Sequence, residues 1–516
     1  MVEHPPFPIL PGVPLSQGAL HDAARQAARD MAAFCGLDMR HFRYPGRERD
    51  PAYEPATLAE SCEVVDLFGA LGPGNGRHGR DEALHGRIEA AYGHRVWVAH
   101  YKALNAAFLA HGEGRSIPSP LSGRDAQILG SVPIQHLQLM PCLDGDRLIL
   151  HIGIGYMPVG LFYPAERLFL VLTGFGLNMR GTLRSVLEAF LKAPLPWAEW
   201  LRRALRKGLR RAFLIGDNRP SHYIRQTLAY LDEEEGAILG FAEKGGMIAV
   251  APDLCAMDPF AVFPSLAPLD RLSVHSERLT EAVLVAGLDA HRVYRFNRPQ
   301  NGAWLRRRLQ AFIEAAPATP PGRFRVMISL DAERQRVVNA VEAFRYVLGR
   351  LGSACAASGR ELEVVWDGWT VSGPPTAHDR EVMGRIEGLI AAITEGLEVP
   401  LAAQFRIFGA SALEKVPVLA GCGLAVTTRG AGAMISSWLL RRPTITYRAP
   451  ANDSSWDYMD RDSVTEMDPA AIGEPPADDP LAARHRRFTL ALWGLEEAMG
   501  RALEGQLTLP PVQPLR

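Results

Sequence analysis

The sequence predicts an α/β protein of two sheet-and-helix units joined by a linker, with an accessory region in front, and three observations lead there. The chain has 516 residues, too many for one hydrophobic core when domains run roughly 100 to 200 residues. Between residues 131 and 450, short apolar runs alternate with amphipathic runs of about 10 to 15 residues, the pattern of strand–helix–strand units on a parallel sheet. The stretch IEAAPATPPGR, residues 313–323, interrupts that alternation with Ala, Pro and Gly and reads as a linker.

Residues 1–130 hold one amphipathic segment, GALHDAARQAARDMAAFCG, among loops rich in Gly, Arg and Pro, and form the accessory region. The first α/β unit, 131–312, opens on IQHLQLMPC, RLILHIGIG and RLFLVLTGFG as strands, followed by the helix LRSVLEAFLKA. Strand AFLIG, the polar loop DNRPSH and the helix YIRQTLAYLDEEEG come next, then strand GMIAVAP and helix SERLTEAVLVAGL. The second unit, 324–450, runs FRVMISL, QRVVNAVEAFRYVLGRLG, LEVVWDGW, HDREVMGRIEGLIAAITEG, QFRIFGA and SALEKVPVLAGC as alternating strands and helices. It closes on strand LAVTT, helix AMISSWLLRR and strand TITY, and a tail, 451–516, ends in a returning helix.

Composition narrows the function classes. The 56 basic residues nearly balance 57 acidic ones, so no whole-molecule field gathers nucleic acid or an anionic membrane. Six cysteines lie far apart without a C-x-x-C pair, which points to reduced, buried thiols in a cytoplasmic protein rather than to disulfides or a zinc site. The opening MVEHPPFPILPGVPLSQ lacks the charge and apolar core of an export signal. No apolar run reaches the roughly 18 residues of a membrane-spanning helix.

In a parallel sheet, ligands collect beyond the carboxyl ends of the strands. At one such end Thr428, Arg429, Gly430, Ala431 and Gly432 join LAVTT to the next helix, and small residues at a helix start suit an anion such as phosphate. A tight turn that needs glycine for its backbone alone is the alternative. MISLDAERQR brings Arg334 and Arg336 to the same sheet edge, where a planar guanidinium could donate paired hydrogen bonds to a diphosphate. VVWDGWT adds Trp366, Asp367 and Trp369, with rings that could stack on a base and an acid that could hold a ribose. On the first unit, FLIGDNRPSHY places Asp217, Asn218, Arg219 and His222 between a strand and a helix. A histidine there is a candidate base at neutral pH, and Asp217 is a second candidate. Two D-x-D pairs, Asp144 with Asp146 and Asp460 with Asp462, invite a metal reading, but Asp144 precedes Gly145 and fits a hairpin turn better.

Two Rossmann-like units, a linker, a returning helix and the late stretch VPVLAGCGLAVTTRGAGAMISSWLLRRPTITY resemble the GT-B type of nucleotide-sugar glycosyltransferase. RGAGAM is similar to the H-G-A-G-L corner of the family that includes plant xylosyltransferases and the extracellular N-acetylglucosamine transferase, with Arg429 in place of its His. The resemblance spans roughly residues 210–450. It implies two facing domains, a nucleotide-sugar donor on the second, a glycan or lipid-linked glycan acceptor on the first, and no bound metal or other cofactor. The acid that many such enzymes carry in the helix after the glycine loop is missing from AMISSWLLRR. An epimerase or pyruvyl transferase on the same architecture, or a scaffold without activity, are the other readings it leaves.

PWAEWLRRALRKGLRRAFL, residues 196–214, sets Trp197, Trp200, Leu201 and Leu205 among six basic side chains. Such a helix could rest on anionic lipid at the inner face of a membrane, or pack its apolar side inward and leave the charges in water.

Overall fold

A computed structural model of the chain describes residues 17–43, 55–66, 82–155, 157–172, 179–217, 219–292, 294–295, 302–316, 318–448, 459–479, 481 and 487–511. The chain divides into two compact units. The first comprises residues 1–216, 233–252 and 268–296, the second residues 217–232, 253–267 and 297–516.

The first unit holds two sheets. Strands β1 (Glu63–Asp66), β2 (Ser116–Ser119), β3 (Arg124–Ile128), β4 (Val132–Ile134), β5 (Leu137–Asp144), β6 (Arg147–Ile154), β7 (Met157–Tyr163) and β8 (Leu168–Val171) form an eight-stranded sheet. Its order is β1-β8-β7-β6-β5-β3-β2, with β4 on β5. Every pair is antiparallel except β1 with β8. This corrects the parallel reading of IQHLQLMPC and the runs after it, and strands from either side of residue 130 share the sheet. The cause is burial on both faces: β5 to β8 are almost wholly buried, so their apolar runs lack the alternation of a half-wet antiparallel sheet. Helices Glu82–Tyr92 and His94–Leu109 supply one cover, setting Ile88, Tyr92, Trp97 and Tyr101 against Met140, Cys142, Leu161 and Tyr163. The Asp144 turn is the hairpin its sequence suggests, with Asp144 opposite Arg147 and Gly145 at φ +67°.

The second sheet of this unit is parallel: β9 (Arg210–Ile215), β10 (Met247–Val250), β11 (Arg271–Ser273) and β12 (Leu288–Arg292) in the order β11-β10-β9-β12. Helix Pro194–Leu205 precedes β9 and answers the question posed by the basic segment. Trp197 and Trp200 are fully buried, their indoles donating to the carbonyls of Ala189 (3.0 Å) and Leu288 (2.7 Å), and Arg202 and Arg203 pair with Glu199. The apolar face that would enter lipid is used in packing. Among the described residues no helix is long and apolar enough to cross a membrane.

The second unit is built on β13 (Arg323–Ser329), β14 (Glu361–Asp367), β15 (Ala403–Arg406), β16 (Leu424–Thr428), β17 (Thr444–Tyr447) and β18 (Val464–Glu466), all parallel, in the order β15-β14-β13-β16-β17-β18. Counted within the unit this is 3-2-1-4-5-6, the doubly wound order. The central strands are buried almost end to end, as strands covered by helices on both faces require, and the buried charges of Arg325 and Glu363 are paired at 2.8 Å. Capping boxes at Thr376–Asp379 and Ser411–Glu414 start helices Ala377–Glu395 and Ala412–Ala420 where the sequence expects them. The helix after β13 begins only at Ala340, so Arg334 and Arg336 lie on a loop. Helix Leu492–Ala502 returns to the sheet, with Leu495, Ala498 and Met499 in the same core as Phe344 and Tyr447.

All six cysteines are free and buried. Burial pushes the Cys422 thiol up to about 12 and the Cys62 thiol up to about 11, which keeps both protonated and unreactive at neutral pH.

Candidate functional site

From β13 the second sheet grows one way through β14 and β15 and the other way through β16, β17 and β18. The boundary between β13 and β16 is therefore the switch point, where loops diverge and open a crevice beyond the strand ends. The loops leaving this boundary are the two the sequence singles out, Leu330–Asn339 after β13 and Arg429–Ala433 after β16. Ile328 pairs with Val426, so both loops start side by side.

The second loop does not open an α-helix. Ala431–Ala433 is a 3₁₀ turn and Met434–Leu439 a π turn, which corrects the expectation for AMISSWLLRR. A dipole summed over so few peptides is small, so any anion here is held by individual N–H groups rather than by a long helix. Gly430 has φ +121°, a conformation open in practice only to glycine, and a Cβ built on it would meet nothing within 4 Å. Gly432 is glycine for a different reason. Its Cβ would lie 2.6 Å from Thr427 Oγ1 and 3.2 Å from Thr428 Oγ1, so the chain folds directly over the end of β16. Of Ala431 only the backbone is described. Arg429 turns inward: its side chain is buried, and its guanidinium reaches Glu466 at 2.7 Å, a carboxylate that also takes Arg448 at 3.0 Å. It braces the corner from behind.

On the neighbouring loop, Asp331 accepts the Arg334 backbone N–H at 3.2 Å and lies 3.5 Å from the Arg336 guanidinium. The Arg334 guanidinium lies 3.8 Å from Glu333, and its side chain is 54% exposed against 23% for Arg336, which makes it the more available cation of the two. Trp366 is wholly buried and donates to Gln404 at 3.0 Å, so its ring is core and not a surface on which a base could stack. Trp369 is half-buried and donates to Asp379 at 2.6 Å. Asp367 is tied to Lys415, whose buried ammonium donates to Asp367 Oδ1 (2.6 Å), Thr370 Oγ1 (2.8 Å) and the Trp369 carbonyl (3.0 Å). The acid expected to hold a ribose is thus engaged by an internal cation, which sequence reasoning missed. The available signal was a lysine in the apolar face of SALEKVPVLAGC.

Asp217 and His222 follow β9 but belong by contacts to the second unit. Asp217 is buried, its N–H donating to Leu254 and its Oδ1 accepting from the Arg219 N–H at 2.8 Å. His222 ends a short helical turn, Pro220–His222, and is half-buried. Asn218 lies outside the described residues. A π turn, Tyr223–Leu228, follows at once, and Tyr223 donates to the Met257 carbonyl at 2.8 Å. This turn buries Arg225, Gln226 and Thr227 together, a polar trio inside an apolar run that sequence reasoning also passed over. π turns concentrate at functional sites, and here one follows β9 and another follows β16.

Neither D-x-D pair is arranged for a cation. Asp144 accepts from Arg124 and Ser119, while Asp460 and Asp462 both reach Arg441. Among the described residues no three His, Cys, Asp or Glu side chains converge as ligands.

No protein family description matches the chain, and no curated protein matches it. Solved structures that are similar to it in part include the following two. The E. coli heptosyltransferase WaaC with ADP is 16% identical over 61% of this chain and 80% of its own, with a TM-score of 0.27. Accessory secretory proteins 1, 2 and 3 of Streptococcus pneumoniae align at 12% identity over 75% of this chain and 68% of that chain, with a TM-score of 0.19. Likenesses this slight carry no chemistry across, so function has to be argued from the residues.

Proposed function

We propose that the chain is a glycosyltransferase of the GT-B type, moving a sugar from a nucleotide-sugar donor to a hydroxyl of a glycan or lipid-linked glycan without a metal. The observation that carries the reading is Gly430, a glycine-only backbone at the switch point of a doubly wound sheet, where an added Cβ would meet nothing within 4 Å. The donor's diphosphate would sit there, on the N–H groups of Gly430, Ala431 and Gly432 and the Thr428 hydroxyl, with Arg334 swinging in from the adjacent loop. These donors would stabilise the charge that builds on the departing diphosphate. Arg336, Arg429 and Asp367, each less exposed than Arg334, would act as positioning residues. His222 would serve as base, since an imidazole can take a proton near neutral pH, with Asp217 as the second candidate. The histidine would take the acceptor's proton as its oxygen attacks the sugar carbon.

Arg334→Ala is expected to weaken nucleoside diphosphate binding roughly tenfold, the loss of one charge-assisted contact of about 1.4 kcal/mol. Calorimetry with uridine, guanosine, cytidine and adenosine diphosphates reads this directly, and equal affinity in wild type and variant would remove Arg334 from the site. The engaged state of Asp367 favours one rival, a scaffold that has kept the fold without the activity. Failure of all four nucleotides to raise the melting temperature would decide for the scaffold, since a ligand at a hundred times its dissociation constant adds about 2.7 kcal/mol.

A further inference from the structure

The first unit contains a cleft of about 380 Å³ at the far end of the basic segment. Five cationic side chains line it, Arg115, Lys207, Arg210, Arg211 and Lys244, against two carboxylates, Glu113 and Asp289. In a chain of net charge −1 this is a local excess of positive charge, and part of that excess has a structural use. Helices His94–Leu109, Pro194–Leu205 and Ala229–Glu243 all end here, each presenting about half a negative charge at its carboxyl end. Arg211 caps the first of them, donating to the carbonyls of Phe108 (3.2 Å) and Gly112 (2.7 Å), and Arg210 caps the third through Gly245 (2.9 Å).

Ion pairing accounts for three of the cations. Arg115 pairs with Asp289, Lys207 with Glu113 (2.9 Å) and Arg210 with Asp270 (2.7 Å). Among the described residues, no carboxylate pairs with Arg211 or Lys244. Burial and then the Arg115 charge lower the Arg211 pKa, with Asp289 and Glu113 opposing them; burial lowers that of His111 on the same wall, and Arg211 and Lys244 add to it against a hydrogen bond with Phe241. Asp289, only 3% exposed, keeps one carboxylate oxygen, Oδ1, with no hydrogen-bond partner. The cleft thus offers two cations without a direct carboxylate partner among the described residues, Lys244 and an Arg211 that already caps a helix end.

We infer that this cleft binds a phosphate ester, with Arg211 and Lys244 on the phosphate oxygens and Lys207 at the rim. A small phosphorylated polyol and the headgroup of an anionic lipid share this chemistry. The inference is independent of the sugar-transfer reading, because every residue in it belongs to the first unit.

Hydrogen exchange on the full chain locates the ligand. With sn-glycerol 3-phosphate, amides of residues 110–115, 206–211 and 243–246 are expected to gain protection, and glycerol alone is expected to give none. Lys244→Glu with Lys207→Asn alters two exposed rim residues, and asparagine tolerates the left-handed backbone at position 207 (φ +54°). This double variant should weaken glycerol phosphate binding at least tenfold in calorimetry while melting as the wild type does. Arg334→Ala should leave the protection intact. Vesicles of phosphatidylglycerol form the second arm: protection by vesicles and not by the soluble ester assigns the cleft to a headgroup, and the reverse assigns it to a free ester. No protection in either arm, or equal binding by the double variant, would overturn the inference.

Discussion

Lys415 is a cation in a helix whose other buried residues, Ala412, Val416, Leu419 and Ala420, are apolar, and its side chain is 1% exposed. Such burial is tolerable because all three ammonium hydrogens find acceptors, two from the loop after β14 and one from Asp367 itself. The ammonium therefore pins that loop to the helix. Lys415→Met should destabilise the second unit by about 3 to 5 kcal/mol, because it strands the Asp367 carboxylate without a counter-charge. Adding Asp367→Asn should recover at least half of that loss in urea denaturation; a double variant no more stable than the single would show that the pair is not the reason. Glycine was legible at this scale because its conformational freedom is unique, so Gly430 and Gly432 announce a corner from sequence alone. The roles of Arg429, Asp367 and Trp366 were not legible. An arginine, an aspartate or a tryptophan at a strand end is written identically whether it turns toward ligand or toward the core, and here all three turn inward.

Among elements, most strands of the parallel sheets were readable, though not β11, β12 or β18, whose short runs RLS, LDAHR and VTE carry little apolar signal; the eight-stranded sheet was not, for a reason of burial rather than propensity. FRVMISL, LEVVWDGW and LAVTT are mostly apolar runs separated by amphipathic helices with good caps, and they become β13, β14 and β16. The runs that become β5 to β8 look the same, since their sheet is also covered on both faces, and only the Asp144-Gly145 turn betrays a hairpin. Close packing within that sheet is visible at Gly160, between β6 and β8: a Cβ there would fall 2.3 Å from the Phe169 ring and 2.8 Å from the Leu170 carbonyl. Neither backbone nor a ring with full burial can yield by that distance cheaply. Gly160→Ala should therefore cost about 2 to 3 kcal/mol, the upper part of the range for overpacked cores. A chemical denaturation midpoint within error of wild type would mean that the sheet relaxes around the methyl group. The π turns after β9 and β16 were also beyond the sequence, because YIRQTL and MISSWL carry the same apolar spacing as an α-helix.

At the scale of the molecule, near-neutral net charge hides strongly unequal local environments, and two histidines of the first unit are the sharpest case. His151 is fully buried, stacked on Trp97 with centroids 5.2 Å apart, and neither ring nitrogen has a hydrogen-bond partner. Burial, and then the neighbouring His100, push its pKa down to about 3. His291 is held between Asn105 Oδ1 (2.9 Å) and the Gln138 amide nitrogen (3.1 Å), contacts that fit a neutral ring donating from Nε2 and accepting at Nδ1. Burial and then Arg115 push its pKa down to about 3 as well. Both rings are therefore neutral in the fold, whereas in the unfolded chain they take protons below pH 6.5. The native state binds fewer protons in that window, so stability is full above pH 6.5 and falls with pH down to about 3. By pH 5 each histidine should cost about 2 kcal/mol, before most carboxylates have begun to titrate. Urea unfolding of the first unit at pH 7.5 and pH 5.0 should thus differ by about 4 kcal/mol. In His151→Phe, which keeps the aromatic stack and removes the titrating group, the difference should shrink to about half. A pH-independent unfolding free energy between these two values, or a drop of the same size in the phenylalanine variant, would show that these rings are hydrated in solution.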